Sequence, residues 1–174
     1  REWHHGQFMV EHFRKVLEVA AKYEVSLVVH EPIKDTGLRR TFPNMMSREG
    51  AKGQEFNGFM SLKDNNKPNH TTIIPFTRLL SSPMDYTPGI FNLVDYRYNS
   101  PEDRKINPNH RIPSTISKEL ALYVVIYAPV QMAADLPNNY EGNPAFQFIL
   151  DVPTDWEETK VLNGEIGEFI TIAR

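Results

Sequence analysis

Three glutamates lie within one short stretch of this chain, His30 to Glu55, which reads HEPIKDTGLRRTFPNMMSREGAKGQE. Glu31 comes first, directly after an apolar run, Val25-Ser26-Leu27-Val28-Val29, that reads as a buried strand. Glu49 and Glu55 follow inside a loop containing glycine and proline. Carboxylates at the end of a buried strand and in the loop after it are where barrel enzymes keep their chemistry. Three of them converging on one pocket point to acid/base work, to a hard metal ion, or to both.

The elements that must position these residues alternate between helix and strand. Residues 7–23 carry Met9, Phe13, Val16, Leu17 and Ala20 at the i, i+3, i+4 spacing of an amphipathic helix. The strand 25–29 follows, and 32–69 is a long polar stretch ending in Asn65-Asn66-Lys67-Pro68-Asn69. The β-branched run 70–76 predicts the next strand, with Pro75 near its end. A second irregular stretch, 81–112, is rich in proline. Ser114 is then the expected N-cap of a helix whose run Ile116–Tyr127 is apolar nearly all round. Pro129 limits that helix, 130–133 reads as a short strand, 145–150 as helix and 168–173 as a closing strand. Strands alternating with helices favour a parallel sheet, and long loops after strands fit the catalytic end of a (β/α)8 barrel. Only about three core strands are expected, too few for a whole barrel.

Composition bounds the answer. The 174 residues are 40% hydrophobic, enough to bury a sizeable core in one domain. Net charge is −3 with both signs interspersed, so nothing points to a nucleic-acid partner. The absence of cysteine removes disulfides and thiol chemistry. No apolar run approaches the length of a transmembrane segment. The chain begins Arg1-Glu2-Trp3 and reads as cut from a longer protein.

The phrases HEPIKDTGLRRTFPN, SREGAKGQE, HTTIIPFTRLLSSPMDYTPGIF and LALYVVIYAPVQMAADLPNNY resemble the catalytic barrel of glycoside hydrolase family 97, best known from α-glucosidases of starch-using Bacteroides-type bacteria. The resemblance runs from about Glu2 to Arg174 and implies an α/β fold, with residues 1–174 forming the C-terminal part of a (β/α)8 barrel. An N-terminal β-sandwich, the first half of the barrel and a C-terminal β-domain would lie outside this chain, and residues 1–174 alone are expected to be inactive. The resemblance implies a periplasmic or cell-envelope enzyme with an oligosaccharide substrate.

It also implies roles. Glu55 matches the family's general acid. Glu31 matches a glutamate that acts as general base in inverting members and also binds calcium, and Glu49 matches another calcium ligand. The metal set implied is Glu31, Glu49 and Glu55 around Ca²⁺. Retaining members typically carry glycine where Glu31 sits, so Glu31 favours the inverting, α-glucosidase-type branch over a retaining α-galactosidase. An acid that touched the ion would have its pKa lowered, which opposes its role unless burial compensates. A carbohydrate-binding or degenerate barrel piece without turnover is the alternative class.

Other residues have two readings each. His30 either hydrogen-bonds sugar hydroxyls or orients Glu31. His4 and His5 are neighbours that point apart, which disfavours a metal pair. Arg39 and Arg40 fit loop-fixing contacts to a carboxylate better than an anion site. Asp85 and Asp135 are substrate candidates or turn residues. Trp3, Phe42, Tyr86 and Phe91 offer a sugar-stacking face or ordinary packing.

Overall fold

The computed structural model of the chain describes residues 5–59, 66–94 and 112–174. Trp3 and His4 lie outside the described residues.

Helix α1 spans Gln7–Lys22, as its spacing predicts. Of its apolar stripe only Leu17 is buried, and Val16 stays exposed. The helix ends in a Schellman-type turn. Glu24 adopts φ 56, and the N–H groups of Glu24 and Val25 return to the carbonyls of Ala21 and Ala20 at 3.1 and 2.9 Å. Strand β1, Leu27–Val29, follows at once.

The stretch 32–69, read as loop, holds a further strand, β2, at Met45–Arg48, with short helices α2 (Leu38–Thr41) and α3 (Phe56–Phe59) on either side. β1 and β2 pair in parallel, Val28 opposite Ser47 and Val29 opposite Arg48. β2 is short and carries Ser47 and Arg48, both buried, so it lacks the apolar pattern that announces a strand.

The run 70–76 is helical where its β-branched residues predict a strand. Helix α4, His70–Ile73, passes into a 3-10 turn at Ile74–Phe76. Thr72 Oγ1 donates to the Asn69 carbonyl at 2.8 Å and Thr77 Oγ1 to the Ile73 carbonyl at 2.9 Å, the back-bonding that lets threonine settle in a helix. Ile74 still enters the core, beside Met84, Tyr86, Leu122 and Ile126. Burial is satisfied in either backbone state, and tertiary packing overrides a weak β preference.

The third strand position is instead Met84, bridged in parallel to Arg48. Met84 N–H donates to the Tyr127 carbonyl at 3.0 Å. The segments at 27–29, 45–48, 84 and 127 therefore lie side by side in chain order. Between the last two runs helix α5, Ile116–Val125. Its N-cap is Thr115, whose hydroxyl accepts from Lys118 N at 3.1 Å, and not Ser114, whose hydroxyl is turned to Glu119. Residues 130–133 form no strand, and the Met132 carbonyl is taken by the Tyr123 hydroxyl at 2.6 Å. Short helices α6 (Pro137–Tyr140) and α7 (Phe146–Asp151) follow. The predicted closing strand is β4, Phe169–Ala173, in an antiparallel hairpin with an unpredicted β3, Lys160–Glu165. Among the described residues no helix is long and apolar enough to cross a membrane.

Candidate active site

Parallel pairing puts the carboxyl ends of neighbouring segments at the same edge, and this edge holds the chemistry. His30 and Glu31 follow the last residue of β1, Glu49 follows the last residue of β2, and Asp85 follows Met84. Residues far apart in sequence are thus brought together by register.

His30 is the hub. Its Nε2 lies 2.6 Å from Asp85 Oδ2, and its Nδ1 lies 3.5 Å from Glu55 and 3.9 Å from Glu49. Asp85 is 2% exposed, and its other oxygen accepts from Thr87 N at 3.3 Å. Glu49 is also buried, and its Oε2 accepts the backbone N–H of Glu31 at 3.1 Å. Glu31 adopts φ 50, a left-handed backbone that non-glycine residues avoid at a cost of about 1 kcal/mol or more. Its side chain is exposed.

The electrostatics follow from this crowding. Burial pushes the His30 pKa down, but hydrogen bonding and charge from Asp85, with Glu49 and Glu55 adding to it, carry it above its ordinary value. Glu55 is also raised. Burial is the main cause, a hydrogen bond with Glu49 and the negative charges of Glu49 and Asp85 add to it, and His30 opposes. A carboxyl group raised in this way stays protonated to higher pH, which is what a general acid requires.

Ligand atoms of His30, Glu49 and Glu55 lie within 4.8 Å of one another, close enough to grip one ion. Two glutamate carboxylates suit a hard cation, while the imidazole is a softer donor. Of the expected metal set, Glu49 and Glu55 belong to this cluster. Glu31 does not, and is joined to it through its backbone N–H on Glu49.

The supports of these residues were not legible in the sequence. The Arg78 guanidinium donates to the carbonyls of Arg48 (2.7 Å), Glu49 (2.8 Å), Ser82 (2.9 Å) and Pro83 (3.1 Å), holding the end of β2 to the 82–83 turn. Burial and the neighbouring Arg48 bring its pKa down to about 10. Gly50, at φ 70, leaves room for it, since a Cβ there would sit 2.8 Å from Arg78 Nε. The Glu55 loop is fixed on the other side. Gln54 N donates to the Tyr86 carbonyl at 2.7 Å, and Gln54 Nε2 donates to buried Glu119 at 3.1 Å. The same Glu119 carboxylate accepts Gly89 N at 3.0 Å, Ile90 N at 3.3 Å and the Ser114 hydroxyl. Burial raises the Glu119 pKa, and these donors pull against it.

Several of the remaining candidates make structural contacts. Asp135 accepts from Phe91 N, Asn92 N, Leu136 N and Asn139 Nδ2 at 2.6–2.8 Å and so staples two loops. Tyr86 and Phe91 are buried. Arg39 pairs with Asp35 at 3.3 Å, as loop-fixing predicts, and His5 accepts from Lys34 N at 3.1 Å. Arg40 is exposed and Phe42 half-buried.

With the geometry in place, likeness to known proteins is informative. The sequence model of glycoside hydrolase family 97 matches residues 3–51. A family 97 enzyme from Pseudoalteromonas sp. strain K8, solved with acarbose, is 51% identical over 98% of this chain, with a TM-score of 0.84. A glutamate-to-glutamine form of the enzyme from that strain, solved with panose, is 50% identical with the same score. A retaining α-galactosidase from Bacteroides thetaiotaomicron is 36% identical over 92% of the chain. The fold alone is shared with a β-arabinopyranosidase at 23% identity and a TM-score of 0.78. The chain belongs to glycoside hydrolase family 97. It spans about a quarter of the length of each of these relatives.

The Glu119 network yields a stability prediction. Glu119→Ala strands several buried donors and should cost about 3 kcal/mol, while Glu119→Gln, which keeps one carbonyl oxygen, should cost less. Urea unfolding of the two variants beside the wild type measures both.

Proposed function

We propose that this chain forms the C-terminal part of the (β/α)8 barrel of an inverting glycoside hydrolase that releases α-linked glucose from oligosaccharides. The observation that carries the reading is Glu31. It is a glutamate held at φ 50 at the exit of β1, next to buried Glu49. Glycine tolerates that backbone freely, and the family resemblance puts glycine there in retaining members. The backbone state therefore suits either residue, and what distinguishes this chain is a carboxylate kept in spite of the strain. The panose and acarbose complexes of the Pseudoalteromonas enzymes, at 50–51% identity, support an oligosaccharide substrate. The in-order parallel segments support a barrel, and the resemblance supports a periplasmic or cell-envelope location.

In this mechanism Glu55 protonates the departing glycosidic oxygen. Glu31, ionised and exposed, takes a proton from a water that attacks the opposite face of the sugar. Inverting sites separate the two carboxyl groups by roughly 6.5–9.5 Å to hold that water. His30, with Nε2 held by Asp85, has only its Nδ1 side, beside Glu55, to offer a sugar hydroxyl. Glu49 and Glu55, with Glu31 alongside, would hold Ca²⁺. When bound, that ion would neutralise the crowded carboxylates and keep the base ionised. A cation on Glu55 itself would oppose its protonation, so in this reading Glu49 is the principal ligand.

A retaining α-galactosidase is the second reading. It is favoured by the curated relatives of that name at 36% identity and, for a probable one from Streptomyces bingchenggensis, 30% identity. A barrel piece that binds carbohydrate without turnover is the third.

Proton NMR of a fresh reaction of the full-length protein on an α-glucoside separates these. β-Glucose should appear first; an initial α-anomer would overturn the inverting assignment, and no turnover of glucosides or galactosides would leave binding alone. Glu55→Gln should lower turnover of substrates with basic leaving groups by about 10²–10⁴-fold and spare those whose leaving group needs no proton. Chelation should lower activity, with Ca²⁺ restoring it better than Mg²⁺, which demands a tighter octahedral shell. Glu49→Ala should abolish that calcium response; an unchanged response removes Glu49 from the ligand set.

A further inference from the structure

Asp85 has no assigned role, and as a substrate ligand it is poorly placed. It is 2% exposed, and both its oxygens are engaged, one with His30 and one with Thr87 N. We propose that Asp85 is a positioning residue that accepts a hydrogen bond from the Nε2–H of His30, fixing the ring with Nδ1 turned toward Glu55 and Glu49. The geometry carries this. A carboxylate with no proton can only accept, so a 2.6 Å contact to Nε2 requires Nε2–H. In the neutral ring Nδ1 is then the acceptor, 3.5 Å from Glu55. An acceptor at Nδ1 is placed to receive and aim an O–H on the neighbouring Glu55 carboxyl group. With the opposite tautomer, Nδ1–H would point at the carboxyl group and Nε2 would face Asp85 lone pair to lone pair. Asp85 is buried and makes the shortest contact to the ring, so it is the principal constraint on the ring's orientation.

The acid-side consequence rests on Glu55 being the acid, but the tautomer does not, so the two are tested apart. ¹⁵N NMR of the histidine-labelled enzyme, with the His30 signals assigned by their loss in His30→Ala, should show the neutral ring protonated at Nε2. A neutral ring protonated at Nδ1 in the wild type would overturn the proposal without any variant of Asp85. Asp85→Asn should shift His30 toward the other tautomer and lower kcat roughly ten- to a hundredfold with KM little changed. In the His30→Ala background Asp85→Asn should cost no further activity, because a residue acting through His30 has nothing left to act on. A full additional loss in that background, or an unchanged His30 tautomer in folded Asp85→Asn, would overturn it. If the tautomer shifts as stated while Glu55→Gln proves harmless on every leaving group, the positioning role stands and the acid assignment falls.

Discussion

Everything at this site depends on the parallel register of β2, which lies between β1 and the Met84 position. Val29 faces Arg48, and Arg48 bridges Met84. In a parallel arrangement the carboxyl ends come out together, so the next residue of each segment, His30, Glu49 and Asp85, meets the others without any of them being close in sequence. Moving one segment by a single residue would send the corresponding side chain to the other face and dissolve the cluster. The most elaborate supports sit at this point. Arg78 ties the end of β2 to the 82–83 turn through backbone carbonyls, with a further long contact to the Ser81 hydroxyl, so it fixes position without pairing with the neighbouring carboxylates.

Once gathered, three acidic side chains and one imidazole must share a small volume. The chain handles the repulsion by ranking the groups. Asp85 is buried against the histidine, Glu49 is buried against the Glu31 backbone, and Glu55 is left half-buried with its proton affinity raised. A proton on Glu55 and a cation near Glu49 are two ways of relieving the same crowding. They compete if both reach for Glu55 and coexist if the cation stays on Glu49. In the proposed mechanism the two glutamates, six residues apart, take these two tasks separately.

The Glu55 loop needs a different kind of support because it belongs to no strand. Glu119 supplies it from α5, gathering Gln54, the 89–90 backbone and Ser114 on one carboxylate. Asn66 adds to this from the other side through the Gly53 carbonyl at 2.7 Å. A buried carboxylate is expensive, and four donors offset much of that cost while fixing where each donor sits. Glu55 is thus held in place by buried residues of other segments.

The sequence by itself determined α1, β1, the end of α5 near Pro129 and the family, because these rest on local periodicity and on long phrases around His30, Glu49 and Glu55. It also singled out the three glutamates, since carboxylates after an apolar run are visible as such, although β1 is half-buried and Val25 exposed where the run predicts a buried strand. It did not determine β2, whose buried polar residues break the strand pattern, or the helical state of 70–76, where threonine hydroxyls found backbone carbonyls and Ile74 was buried either way. Nor could it pair His30 with Asp85 or Glu119 with Gln54, 55 and 65 residues apart. Such contacts have no periodic signature. They exist only once strand register and helix packing close the distance, and there the tertiary structure alone decides which polar groups meet.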